Sequence, residues 1–178
     1  LNNGFGKVIS KNNILTTFTN RGLTAVHHAD KKSVWILTHG LNSNAFKAFR
    51  MSSSGIDTVP VTSNVGAVAS VKYICDNTCN YIPEKGEIKF SPDGKKIMAM
   101  TYDTFDFVHY EMFDFNNKTG KVHNPKLIDT LNINSNNTGD FDFSPNCRFL
   151  YIRKGYSNSD SIYQYDLSLD ESEIRNSV

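Results

Sequence analysis

The side chains with the most chemistry per residue are five histidines and three cysteines, with a few acids set among aromatics. His27 and His28 are adjacent. In a strand, consecutive side chains point to opposite faces, so the two rings do not converge on one ligand. The expected arrangement is structural, with one ring lining a central channel and the other packing between neighbouring sheets; as the alternative, both are candidate binding residues. His39, His109 and His123 are scattered, without metal-ligand spacing. Cys75 and Cys79 bracket Asp-Asn-Thr and are close enough for a small disulfide, which would imply an oxidising compartment. Two free thiols are the alternative. Cys147 stands alone. Zinc needs about four ligands, and no second Cys or His pair is suitably spaced. Asp114 to Gly120 has the outline of a calcium loop, but its Gly falls one place late and the bidentate Glu is missing, so it reads as a turn. No metal and no cofactor is therefore expected. Asp103, Phe105 and Asp106 share one loop before an aromatic strand. They form a candidate binding rim, although solvated loop acids are the commoner case. There is no G-x-S-x-G elbow and no Gly-rich phosphate loop, so no catalytic residue is assigned.

The elements that would position these residues repeat. Gly86-Glu-Ile-Lys-Phe-Ser-Pro-Asp-Gly94 is followed by an apolar run to Met100. Gly139-Asp-Phe-Asp-Phe-Ser-Pro-Asn-Cys147 is followed by a run to Ile152. A degenerate copy starts at Gly22 and runs through Asp30 to Leu37. Each copy reads as a short alternating strand, a tight turn and an apolar strand. Ser91-Pro92-Asp93-Gly94 has type I turn preferences at three positions. The apolar runs Val34–Leu37, Ile97–Met100 and Phe149–Ile152 suit strands buried on both faces. Aromatic-rich third strands follow at about 45–51, 109–115 and 161–167, and fourth strands at about 58–63 and 127–133. Pro60 marks an edge strand. A short helical turn is expected near Glu171–Ile174.

Four strands per unit at roughly 50 residues per repeat is the pattern of an all-β propeller with four-stranded antiparallel blades. The expected division is an outer strand at 1–19, a blade at 22–63, a connecting insertion at 64–85, a blade at 86–133, three strands of a blade at 139–167 and a tail at 168–178. That makes about three blades, whereas closed propellers have roughly four to eight. The preferred expectation is a portion of a larger propeller. The alternative is a homodimer in which two copies complete a ring.

Phe90-Ser91-Pro92-Asp93-Gly94 resembles the repeat of TolB-type and lactonase-type bacterial propellers. A longer set of segments is more specific. It includes Val34 to His39, Asn42 to Phe49, Pro60 to Gly66, Phe113-Asp114-Phe115 with Thr119-Gly120, Asn124-Pro125, and Ile162 to Leu167. Together these resemble the N-terminal WD-like propellers of large secreted Bacteroidetes proteins, often sorted by the type IX, gliding-motility-type system. The resemblance implies an exported or cell-surface protein and transfers no catalytic residue. The sequence departs from it at Cys147, where the turn Gly would sit, and between Ser70 and Lys85.

The formal charge is +1, with acids and bases interspersed, so there is no basic footprint for nucleic acid. No apolar run approaches the roughly 18 residues of a membrane span, so no membrane insertion is expected. The functional expectation is a non-catalytic interaction or scaffold module that binds a protein or glycan through its loops. The alternative is a lactonase-like or other hydrolytic propeller whose site is completed by further blades.

Overall fold

The computed structural model describes residues 11–70, 86–105, 107–132, 139–156 and 159–174. Its strands form three separate antiparallel sheets. The first holds β1 (Thr19–His27), β2 (Val34–Gly40), β3 (Ser43–Ser52), the two-residue β4 (Gly55–Ile56) and β5 (Val61–Ala69). The second holds β6 (Glu87–Phe90), β7 (Lys96–Tyr102), β8 (Phe107–Asn116) and β9 (Lys121–Asn132). The third holds β10 (Phe141–Phe143), β11 (Phe149–Tyr156) and β12 (Ser159–Asp166), followed by the short helix α1 (Glu171–Ile174). Each sheet is a meander, with every strand paired to a sequence neighbour apart from the β4 detour between β3 and β5. These are the blades of a partial β-propeller: two with a full set of four principal strands and one with three.

Why the second strand of each unit is apolar throughout becomes clear in blade 2. Ile97 and Ala99 face blade 1, where they close a core with Trp35, Leu37, Phe46 and Phe113. Met98 and Met100, the alternate residues of the same strand, face blade 3 and join Tyr110, Leu150, Ile152 and Tyr165. A strand between two such seams has no polar face to offer. The seams hold the largest fully buried side chains, including Tyr110, Tyr165, Phe46 and Phe113. Each such side chain contributes roughly 1.5–3 kcal/mol of hydrophobic stabilisation. Glu111, nearly buried, crosses the first seam to accept a bond from the Ala67 amide at 2.8 Å.

The turns between first and second strands repeat bond for bond. Ser91 N donates to Lys96 O and Gly94 N to Ser91 O. Ser144 with Phe149, and Cys147 with Ser144, do the same, as do His28 with Ser33, and Lys31 with His28. A side-chain oxygen of Asp30, Asp93 or Asn146 accepts the amide two residues on, from Lys32, Lys95 or Arg148. The residue after it is left-handed in all three: φ is +56° at Lys31, +69° at Gly94 and +58° at Cys147. Only Gly adopts that region without steric cost, which for other residues is about 1–2 kcal/mol. Glycine gives back part of the gain through unfolded-state entropy. Cys147→Gly is therefore expected to stabilise the chain by about 0.5–1 kcal/mol, read as a higher urea midpoint at unchanged slope.

Four boundaries differ from the sequence expectation. The first copy is offset by one residue, because Asp30 stands at the place of Asp93 rather than of Gly94. Lys31 carries the left-handed turn there, and a bulge between Thr19 and Leu23 shifts the strand before it. Asn64 to Ala69 belong to the outer strand β5, not to a connecting insertion; a register shift opposite Ser43 and Ala45, and Gly66 at φ +80°, let the strand run on. Pro60 sits just before β5 rather than within it. Thr19 opens β1 and residues 11–18 form no strand, so they do not extend an outer strand; residues 1–10 lie outside the described residues.

Candidate functional site

The hairpin loop joining β7 and β8 carries the acid–aromatic group singled out in the sequence. Asp103 is its organiser. Its carboxylate accepts the Phe105 amide at 2.8 Å and the Phe107 amide at 3.0 Å, and its second oxygen lies 2.8 Å from His109 Nε2. Burial alone would raise the Asp103 carboxyl, but the bonds from His109 and from the Phe107 and Phe105 amides outweigh it and hold it below the ordinary carboxylate range. The Asp103 amide in turn donates to Phe107 O, which closes the loop. Phe105 stands at the tip, 77% exposed. Asp106 lies outside the described residues. His109 was missed as a partner because six residues separate it from Asp103. Only the hairpin register, Thr101 opposite His109, brings the two together. Thr101 shares that face, and its buried hydroxyl has no hydrogen-bond partner among the described residues.

The two adjacent histidines part company. His27 is exposed and sits opposite Val34 on the side of blade 1 facing away from blade 2. His28 is in the turn. Its Nδ1 accepts the Asp30 amide at 2.9 Å, and its Nε2 lies 3.2 Å from Lys118 O in blade 2. With its ring 5.6 Å from that of Trp35, it belongs to the first seam. His39 is buried at 1% exposure, edge-on to Phe46, with Nδ1 2.9 Å from Gly40 O. Burial pushes its imidazole down to about 4, against a smaller upward pull from the Gly40 carbonyl.

Cys75 and Cys79, the expected disulfide pair, lie outside the described residues. Cys147 is a free thiol whose side chain reaches the Asp93 carboxylate. Among the described residues, no group of three or more His, Cys, Asp or Glu side chains is placed to hold a metal ion. No helix among the described residues is long and apolar enough to cross a membrane.

A second polar cluster, invisible in the sequence, lies in the seam between blades 2 and 3. Asp129 of β9 takes bonds from Lys154 Nζ of β11 and Tyr165 Oη of β12. Lys154 is 8% exposed and its ammonium sits 4.2 Å above the Tyr163 ring. Burial and the Asp129 carboxylate push the Tyr165 phenol far up, and burial alone moves Tyr102 to about 12. These phenols stay protonated at any physiological pH. The cluster neutralises a charge inside an apolar seam rather than offering a nucleophile. Its members are 25 and 36 residues apart, so no local motif announces them. At the inner strands, Lys89 bridges blades 2 and 3 through Phe141 O at 2.8 Å and Asp142 at 3.2 Å.

The class this arrangement defines is a β-propeller with antiparallel meander blades, here bearing an exposed aromatic in the β7–β8 loop. No family model and no curated protein matches the sequence. Solved structures with a similar backbone include a Bacteroides fragilis protein with a provisional 6-phosphogluconolactonase assignment, at 16% identity and TM-score 0.46, covering 81% of this chain and 35% of that one. They also include hydrazine synthase of Kuenenia stuttgartiensis, at 13% identity and TM-score 0.45, covering 80% and 38%. An uncharacterized protein of Listeria monocytogenes aligns at 12% identity and TM-score 0.47, covering 85% and 41%. The chain spans well under half the length of each. The fold follows from its own three sheets.

Proposed function

We propose that this chain is a non-catalytic interaction module of an exported or cell-surface bacterial protein, binding a protein or glycan partner through the β7–β8 loop. The observation that carries the reading is Phe105: a large aromatic 77% exposed in the β7–β8 loop, its amide and that of Phe107 bonded to Asp103. An unanchored aromatic would lose entropy on binding, whereas the Phe105 and Phe107 amides are already held by Asp103. Aromatic side chains on rigid loops are the usual anchors of binding surfaces. The secreted Bacteroidetes resemblance of the repeat segments supports the exported setting, and a surface glycan or envelope protein is the ligand class that setting offers. Titration of the chain against a panel of cell-envelope glycans and purified envelope proteins tests this. Phe105→Ala is expected to weaken binding by about 2 kcal/mol or more, roughly thirtyfold, with an unchanged urea midpoint. Binding indifferent to Phe105→Ala, or absent across the panel, would sink the proposal.

One observation favours a second reading, the hydrolytic propeller. A histidine oriented by a carboxylate, as His109 is by Asp103, is half of a general-base device. Lactone turnover that disappears in His109→Asn would support it, and turnover at background would remove it.

A further inference from the structure

Acids and bases are interspersed along the sequence, but the fold sorts them. Three turns meet at one end of blades 1 and 2: His28 to Ser33, Ser91 to Lys96 and Asn116 to Lys121. The Ala29 amide donates to Asn117 O at 3.2 Å, His28 Nε2 lies 3.2 Å from Lys118 O, and the Phe115 amide donates to Lys95 O at 2.8 Å. Each acid of this junction has a cation of its own. Asp30 pairs with Arg50 at 2.8 Å, Asp114 with Lys96 at 2.5 Å and, more loosely, Asp93 with Lys95 at 3.9 Å. Lys31, Lys32, Lys118 and Lys121 are exposed and enter no ion pair among the described residues. The surplus is a cluster of positive charge on two turns bonded to each other. Of the other acids near this end, Asp57 follows β4, two strands out from β2, and Asp170 and Glu173 follow β12 in blade 3. The opposite end differs. β7 rises roughly 20 Å from Lys96 to Tyr102, and the Phe105 loop beyond it contains no lysine or arginine.

The chemistry of the junction narrows its ligand. Lysine is a flexible point charge, suited to anions spaced along a chain. The one guanidinium here, Arg50, whose planar fork would grip a phosphate, is taken by Asp30 and Ser33. No aromatic or large aliphatic side chain is well exposed in the three turns, so nothing there stacks on a base or enters a bilayer. Between the lysines, the Asn117 amide and the Thr119 hydroxyl bond to no other described residue. We propose that this junction binds a linear acidic polysaccharide, with its carboxylate or sulfate groups on the lysines and its hydroxyls on Asn117 and Thr119. The site is separate from the Phe105 loop and does not depend on the reading of that loop.

Isothermal titration with polygalacturonate and with dextran sulfate tests this, with neutral dextran as the control. The anionic polymers are expected to bind, more weakly as salt rises, and dextran not at all. Binding of only one of the two would assign the anionic group. Combining Lys31→Gln, Lys32→Gln and Lys118→Gln is expected to weaken binding by about tenfold or more at an unchanged urea midpoint. Arg21→Gln, toward the far end of β1 from the turn, removes one charge well beyond a screening length and is expected to change binding by less than about twofold. Undiminished binding in the triple variant would overturn the proposal, as would failure of both anionic polymers to bind. So would an equal loss in Arg21→Gln and Lys118→Gln, since net charge alone would then explain it. Tighter binding of oligodeoxythymidine or phosphatidylserine vesicles than of either polymer would replace the polysaccharide with nucleic acid or a membrane.

Discussion

Trp35→Ala is expected to lower the unfolding free energy by about 3–5 kcal/mol, the range for deleting a buried large aromatic. Trp35 is 5% exposed at the first seam, edge-on to Phe115 with ring centroids 6.4 Å apart. Its indole N–H donates to Asn117 O at 2.8 Å, in the turn of the neighbouring blade. That turn is shaped to receive it. Gly120 has φ +74°, and a Cβ there would stand 2.8 Å from the indole ring. Removing the ring leaves a cavity between two sheets and takes one of two donors from the Asn117 carbonyl, which keeps the Ala29 amide at 3.2 Å. Trp35→Phe retains much of the packing and is expected to cost about half as much. Trp35 is the single tryptophan, so the measurement is urea unfolding followed by far-UV circular dichroism rather than fluorescence. A loss under about 1 kcal/mol would show that the seam does not depend on this side chain.

Acidification is expected to cost about 3 kcal/mol through His39 alone. The folded imidazole titrates at about 4 and the unfolded one at 6.5. As pH falls below about 6.5 the unfolded chain takes up a proton that the folded chain refuses, so stability drops progressively down to about pH 4. Above 6.5 neither state is protonated and the contribution to stability is fully present. The cause is burial against Phe46, which strips the imidazolium of solvent. Carboxylates add their own acid dependence. Asp30 is held below its ordinary range by the Lys32 and Ser33 amides, and Asp166 by Arg148. The diagnostic is therefore the difference between wild type and His39→Leu in urea unfolding from pH 8 to pH 4. Parallel curves between pH 6.5 and 4 would contradict the assignment.

What was legible in the sequence was local. Ser91-Pro92-Asp93-Gly94 and Ser144-Pro145-Asn146-Cys147 announce their turns because each bond of the turn lies within six residues. The apolar second strands, and with them the blade architecture, follow from burial on two faces. The first copy was misread by one place because Lys31 adopts the left-handed conformation that elsewhere signals Gly. The outer strand β5 was cut short because Asn64-Val65-Gly66 has the composition of a turn. There Gly66 instead keeps the strand close to Phe113, whose ring a Cβ would meet at 2.7 Å. Of the candidate site, Asp103 and Phe105 were legible as residues. His109 was not legible as their partner, since that depends on hairpin register. Lys154 looked like an ordinary strand lysine; its counter-ion Asp129 is on another blade, and sequence spacing says nothing about which blades touch.

The meander layout also bears on how such a chain is made. No strand in these sheets waits for a partner from a distant part of the sequence: the ladder of blade 1 is complete at Ala69, before β6 begins at Glu87. A ribosome emitting this chain N-terminus first releases each sheet as a finished hydrogen-bonded unit. Loop closure over long separations, the slow step in most β topologies, is deferred to the docking of one formed blade on the next. During synthesis the vulnerable surface is therefore the open apolar face of the newest blade, which stays wet until its successor arrives.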